Sequence, residues 1–157
     1  MPDEKRRLLI VAHAPSPNTQ RLREAVLRGA RSPDIAGIDV KMLPPLEAGP
    51  DDVLAAQAII LGTTENLGYM SGALKDFFDR SYYPVLEFTQ GLPYAVYIRA
   101  KLDGTGTRRA IESIATGLRW RKVQEPLILH GEFREEFIGQ CEELGAAMAA
   151  GLEGGIF

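Results

Sequence analysis

The stretch Leu8-Leu9-Ile10-Val11-Ala12, followed at once by His13-Ala14-Pro15-Ser16-Pro17-Asn18-Thr19, decides how the rest of the chain is read. Five consecutive apolar residues suit a strand buried on both faces, because neither side of its pleat meets water. From 18 to about 31, Leu22, Ala25, Val26 and Gly29 recur at helical spacing. The unit is strand, short polar loop, helix. Ile38-Asp39-Val40-Lys41-Met42-Leu43 alternates as an outer strand does, and Pro44-Pro45 stops it. Asp51 and Asp52 cap a short helix to about Gln57, after which Ala58-Ile59-Ile60-Leu61 forms a second fully apolar strand. Residues 72 to 80 bring Leu74, Phe77 and Phe78 to one helix face, and 94 to 98 make the next strand. Residues 107 to 118 carry Ala110, Ile111, Ile114, Ala115 and Leu118 at helical intervals. Leu127-Ile128-Leu129 is a fifth strand, and a helix from about 134 to 152 aligns Phe137, Cys141, Leu144 and Met148.

Five strands alternating with about five helices predict an α/β fold, a doubly wound parallel sheet with helices on both faces. Crossovers between parallel strands are right-handed, which makes 2-1-3-4-5 the leading strand order. A length of 157 residues fits one domain over 1–157, with no internal repeat or linker. Residues 81 to 93 form the longest stretch without periodicity. Tyr82, Tyr83, Val85, Leu86 and Phe88 make it apolar for a loop, so something should cover it.

Composition narrows the function classes. Hydrophobic residues at 45% and charged residues at 25% match a folded globular chain. Eighteen basic and 21 acidic side chains give a net charge of −3, and the basic clusters at 108 to 109 and 119 to 122 are local. No nucleic-acid partner is expected on that balance. The longest apolar run, 58 to 61, falls far short of the ~20 residues of a spanning helix, so no membrane partner is expected either. The charged start, 1 to 7, leads into too few apolar positions for a secretion signal. Cys141 is the single cysteine, which excludes an internal disulfide and a cysteine-based zinc site. The expectation is a cytoplasmic protein, and no metal site is proposed.

Ligands of an open parallel sheet bind beyond the carboxyl ends of the strands, where the strand order reverses. The order above puts that point between the first and third strands, so three loops matter: 13 to 19, 63 to 71 and 99 to 106. The first joins a strand to a helix through three small polar side chains. Free N–H groups at a helix start, with hydroxyls beside them, suit a phosphate; equally, Ser16, Asn18 or Thr19 could simply cap the helix. The second, Gly62-Thr63-Thr64-Glu65-Asn66-Leu67-Gly68-Tyr69-Met70-Ser71-Gly72, exposes backbone groups able to read a flat heterocycle, or is a surface turn with Ser71 as a cap. The third, Arg99-Ala100-Lys101-Leu102-Asp103-Gly104-Thr105-Gly106, can close the opposite side of the same cleft. His13 stands beside the first loop, either as a donor to an anion or as a loop-holding residue. His130 lies farther from the switch point, and Trp120 reads as a core or rim anchor.

The segment 62 to 80, with Met70-Ser71-Gly72-Ala73-Leu74-Lys75-Asp76-Phe77-Phe78-Asp79-Arg80, resembles the region after the third strand in flavodoxin-like FMN proteins, above all the WrbA-like and NAD(P)H-dependent FMN reductase branch. Ser16-Pro17-Asn18-Thr19 is similar to that family's phosphate loop. The resemblance implies FMN, with its phosphate on Ser16, Asn18 and Thr19. The flavin ring would lie against Thr64, Glu65, Asn66, Leu67 and Gly68, with Tyr69 stacking on it or at its edge. Arg99, Ala100, Lys101, Asp103, Gly104 and Gly106 would flank it. Pro17 departs from the glycine common in flavodoxins and removes one N–H donor from the anion site.

Other occupants of this architecture leave marks that are missing. Gly62 and Thr63 stand where a receiver domain needs an aspartate. The first loop has neither the glycines nor the lysine of a P-loop, and no G-x-S-x-G is present. Three functions stay open. The first is an oxidoreductase in which NAD(P)H reduces FMN and a quinone or other small acceptor takes the electrons, with no catalytic acid or base assigned. The second is a flavodoxin-type electron carrier, which the weak net charge and the cations Arg99 and Lys101 disfavour. The third is an interaction module without cofactor. The stretch 81 to 93 would be covered by a second copy of the chain or form a rim over the flavin.

Overall fold

The computed structural model describes residues 5–157. The first four residues of the charged start lie outside them. The chain runs β1 (Arg6–Ala12), α1 (Pro17–Ala30), β2 (Ile38–Leu43), α2 (Pro50–Leu54), β3 (Ala58–Asn66), β4 (Tyr69–Met70), α3 (Gly72–Leu86), β5 (Pro93–Ala100), α4 (Thr105–Gly117), β6 (Arg121–Lys122), β7 (Leu127–His130) and α5 (Glu136–Glu153). The parallel sheet has the order β2-β1-β3-β5, with β6 and β7 both on the outer edge of β5. Counting β6 and β7 as one interrupted strand, this is the expected 2-1-3-4-5 order of the flavodoxin-like fold. No helix among the described residues is long and apolar enough to cross a membrane.

Both faces of the sheet are covered, which explains the unbroken apolar strands. Alternate side chains leave opposite faces of a strand, so each face needs its own apolar set. Leu9, Val11, Ile59, Leu61 and Val96 pack toward α3 and α4 with Phe77, Phe78, Ile111 and Trp120. Leu8, Ile10, Ile60, Ala95 and Tyr97 pack toward α1 and α5 with Leu22, Val26, Phe137, Cys141 and Met148. Trp120 is a core anchor: its Nε1 donates to Thr89 Oγ1 at 3.0 Å, and its ring sits near Phe78 and Tyr94. Cys141 is buried, and burial pushes its thiol pKa up to about 12.

Three expectations change. Residues 62 to 66 continue β3 and fold back through β4 as an antiparallel hairpin, with Glu65 opposite Met70 and Asn66 opposite Tyr69. The fifth strand is split, because after Val123, whose N–H still donates to Tyr94 O, residues 124 to 126 leave the edge of β5 between β6 and β7. Helix α3 continues to Leu86 with Pro84 inside it. The buried stripe Leu74, Phe77, Phe78, Ser81 and Val85 holds the helix together through that proline, which lies in its last turn. Most of 81 to 93 is therefore helix and its exit. Helix α3 runs from the carboxyl end of β3 to the amino end of β5, so this segment lies at the opposite end of the sheet from the switch point. The reading of 81 to 93 as a flavin rim does not hold.

Candidate functional site

A cleft of about 480 Å³ opens beyond the carboxyl ends of β1, β3 and β5, inside the ~300–1,000 Å³ usual for small-molecule and cofactor sites. All three loops reach it. Ser16, Asn18 and Thr19 form one wall, Thr64, Glu65, Asn66 and Leu67 a second, and Arg99 and Lys101 a third. A groove of about 520 Å³ along α4 contains none of these residues. Two of its charged residues, Arg108 and Glu112, are paired with each other.

The first wall is the start of α1. Ser16 is the N-cap and forms a reciprocal box with Thr19. Thr19 N–H donates to Ser16 Oγ at 3.3 Å, Ser16 N–H donates to Thr19 Oγ1 at 2.9 Å, and the two hydroxyl oxygens lie 2.8 Å apart. A cap and a phosphate both satisfy the open donors of a first turn, so an anion bound here would draw on the same groups as the cap. His13 holds the loop through its backbone N–H, which donates to Gly62 O at 3.0 Å. Burial lowers its imidazole pKa and favours the neutral ring.

The second wall is the β3–β4 hairpin. Its turn places Leu67 at φ 54° and Gly68 at φ 75°, the pair of positive values of a type I′ turn. Leu67 is fully exposed at the crest. Thr64 Oγ1 donates to Asn66 Oδ1 at 2.8 Å. Below it, Thr63 Oγ1 accepts the N–H of Ser71, which caps α3 through Leu74 N–H.

Glu65 joins this hairpin to the third wall. Its two carboxylate oxygens accept N–H groups from Leu102 at 2.8 Å and Gly104 at 2.9 Å. Arg99 is held on the other side: Nη1 donates to Ala100 O and Leu129 O, each at 3.0 Å. The Arg99 guanidinium carbon lies 5.4 Å from the Phe137 ring centroid and 5.9 Å from that of Phe133. Burial lowers the pKa of this guanidinium.

The remaining six predicted residues lie off the cleft lining. Ala100 is fully buried in the core. Gly104 adopts φ 71° against Ile128 and caps α4 by its backbone. Gly106 lets α4 approach the carbonyl of Gly68, a place a β-carbon would overlap. Asp103 accepts the Thr105 N–H at 3.0 Å, and that bond holds its carboxyl below the usual range. Gly68 completes the hairpin turn, and Tyr69 is partly exposed on β4. His130 is exposed at the end of β7. The sequence reading missed Phe133 and Phe137 as supports of Arg99. Aromatic residues beside the start of a helix were the available signal.

No family model matches the chain. A flavodoxin of Aquifex aeolicus is 34% identical over 73 residues, which are 46% of this chain and 38% of that protein. An NAD(P)H dehydrogenase (quinone) of Acidithiobacillus ferrooxidans is 29% identical over 48% of this chain and 46% of its own length. The chain thus matches less than half the length of either relative. Among solved structures, an archaeal flavodoxin superposes with a TM-score of 0.77 at 19% identity, covering 93% of this chain and 98% of its own. A WrbA-like flavodoxin of Agrobacterium tumefaciens gives 0.74 at 19% identity, covering 94% and 97%. These likenesses show the flavodoxin-like fold.

Proposed function

We propose that this flavodoxin-like chain binds FMN in the cleft and works as an NAD(P)H-dependent oxidoreductase that passes electrons to a quinone or another small acceptor. The observation that carries the reading is convergence: a capped helix start, a hairpin crest and a cationic strand end meet in one cleft at the reversal of strand order. The donor set suits each part of the cofactor. Ser16, Asn18 and Thr19 hold the phosphate at the positive end of α1. Leu67 and the backbone of the hairpin support the ring, and Thr64 and Asn66 offer polar contacts beside it. Bound there, FMN supplies the one- and two-electron redox chemistry that the side chains lack. The names of the two curated relatives support an electron-transfer role, and that of the second supports a nicotinamide donor. Arg99 and Lys101 in the cleft favour the enzyme over a carrier that meets basic partner proteins through an acidic surface.

The test is optical. Protein saturated with FMN and then desalted should be yellow, and anaerobic NADH or NADPH should bleach it. Protein that stays colourless would overturn the FMN reading and leave an interaction module. Bound flavin that neither nicotinamide bleaches would overturn the enzyme and leave the carrier. Asn18→Asp with Thr19→Ala should weaken FMN at least about tenfold, by placing a negative charge beside the phosphate and removing a hydroxyl. Unchanged affinity in a fluorescence titration removes the phosphate assignment.

A further inference from the structure

The start of α1 has few donors left for a dianion. Ser16 N–H is taken by Thr19 Oγ1, Thr19 N–H by Ser16 Oγ and Gln20 N–H by Ser16 O. Pro17 has no N–H. Of the amides from 16 to 20, only that of Asn18 remains. A phosphate monoester brings a charge of about −1.5 to −2 at neutral pH, and a half-buried anion needs a counter-charge.

An unpaired guanidinium stands across the same cleft. Its neighbours Arg21 and Arg134 pair with Glu135 and Glu136, whereas Arg99 pairs with no carboxylate among the described residues. Nη1 of Arg99 is spent on two carbonyls, and its Nε and Nη2 find no partner among the described residues. Strand alternation sends Arg99 to the face of the sheet that carries Tyr97, where α1 and α5 pack. The Phe133 ring confirms the side: it lies 5.4 Å from the guanidinium of Arg21 on α1 and 5.9 Å from that of Arg99. The two carbonyls and the two rings fix the fork in place before any ligand arrives, so little side-chain freedom is lost on pairing.

We propose that Arg99 is the counter-charge for the phosphate of the bound cofactor and replaces the donor that Pro17 deletes from the loop. This rests on the FMN reading above. Arginine suits the role because its planar fork presents two donors to phosphate oxygens, while Lys101, exposed and unfixed, is a point charge at the rim.

The experiment compares FMN with riboflavin, which lacks the phosphate, by fluorescence titration of the wild type, Arg99→Gln and Arg99→Lys. Wild type should prefer FMN by at least about tenfold, the scale of one charge-assisted bidentate pair. Arg99→Gln should lose most of that preference while its riboflavin affinity is retained, and Arg99→Lys should recover part of it. As pH falls through about 6, where the monoester takes up a proton, wild-type affinity for FMN should drop and that for riboflavin should not. A wild type that binds both flavins equally overturns this inference and leaves the flavin site standing; one that binds neither overturns the FMN reading itself. Equal weakening of both flavins in Arg99→Gln also overturns it, because Arg99 would then act on the ring or on the shape of the cleft. Should Arg99→Gln fail to fold, the wild-type comparison and Arg99→Lys still decide.

Discussion

Glu65 spends both carboxylate oxygens on backbone N–H groups of a different loop, 37 and 39 residues away in sequence. It is therefore a clasp between two walls of the cleft before it is a neighbour of any ring. Glu65→Gln keeps the size and one acceptor but turns an N–H of the new amide toward a backbone N–H, while Glu65→Ala removes both bonds. Each hydrogen bond to a charged group contributes about 1.5–3 kcal/mol. We expect amide exchange at Leu102 and Gly104 to accelerate in both variants, more in the alanine, and FMN affinity to fall by about tenfold or more. Unchanged exchange at these two amides would show that the clasp does not hold the loop. Local roles such as the caps at Ser16 and Ser71 were legible in the sequence, because a cap and its helix are three residues apart. The clasp was not legible, because a carboxylate does not announce a backbone partner so distant along the chain.

The β3–β4 hairpin shows why some elements escape a reading by pattern. A type I′ turn demands positive φ at both central residues, and Asn-Gly is its usual signature. Here the pair is Leu67-Gly68, so the hairpin read as a loop, and the strand was ended where its apolar run ended. Helix α3 outruns the stripe Leu74, Phe77 and Phe78 because Ser81 and Val85 continue its buried face across Pro84, which lies in the last turn. Leu67 has no packing to compensate for its left-handed backbone, since its side chain is wholly exposed. Leu67→Asn should therefore stabilise the fold by about 1 kcal/mol, read as a higher denaturant midpoint, because asparagine tolerates this conformation. On the proposed FMN reading, affinity for the cofactor should fall in the same variant, since the crest would lose the apolar side chain assigned to the ring. A midpoint that does not move would mean that the turn carries no strain worth relieving.

At the scale of the molecule, the alternation of buried strands with amphipathic helices was enough to yield the doubly wound order, because a continuous apolar run has no stable place except between two helical layers. The closeness of those layers was not visible. Helices α1 and α5 meet backbone to backbone: a β-carbon at Gly29 would overlap the carbonyl of Glu142, and one at Gly145 the carbonyl of Val26. This contact also sets the cleft, since α1 carries its first wall and the Phe133 and Phe137 pair at the start of α5 steadies Arg99. Gly145→Ala should force the helices apart and destabilise the fold by about 2 kcal/mol or more. Gly139, on the exposed side of α5, has nothing within 4 Å of its absent β-carbon, so Gly139→Ala should stabilise by about 0.5–1 kcal/mol through helix propensity alone. Cys141 lies between the two positions, fully buried, and its thiol resists ionisation. Its alkylation therefore reports opening of this layer. The rate should rise in Gly145→Ala and fall or hold in Gly139→Ala, in step with the denaturation midpoints. If both alanines shifted the midpoint in the same direction, helix propensity rather than the backbone contact would govern α5, and the link from this layer to the cleft would fail with it.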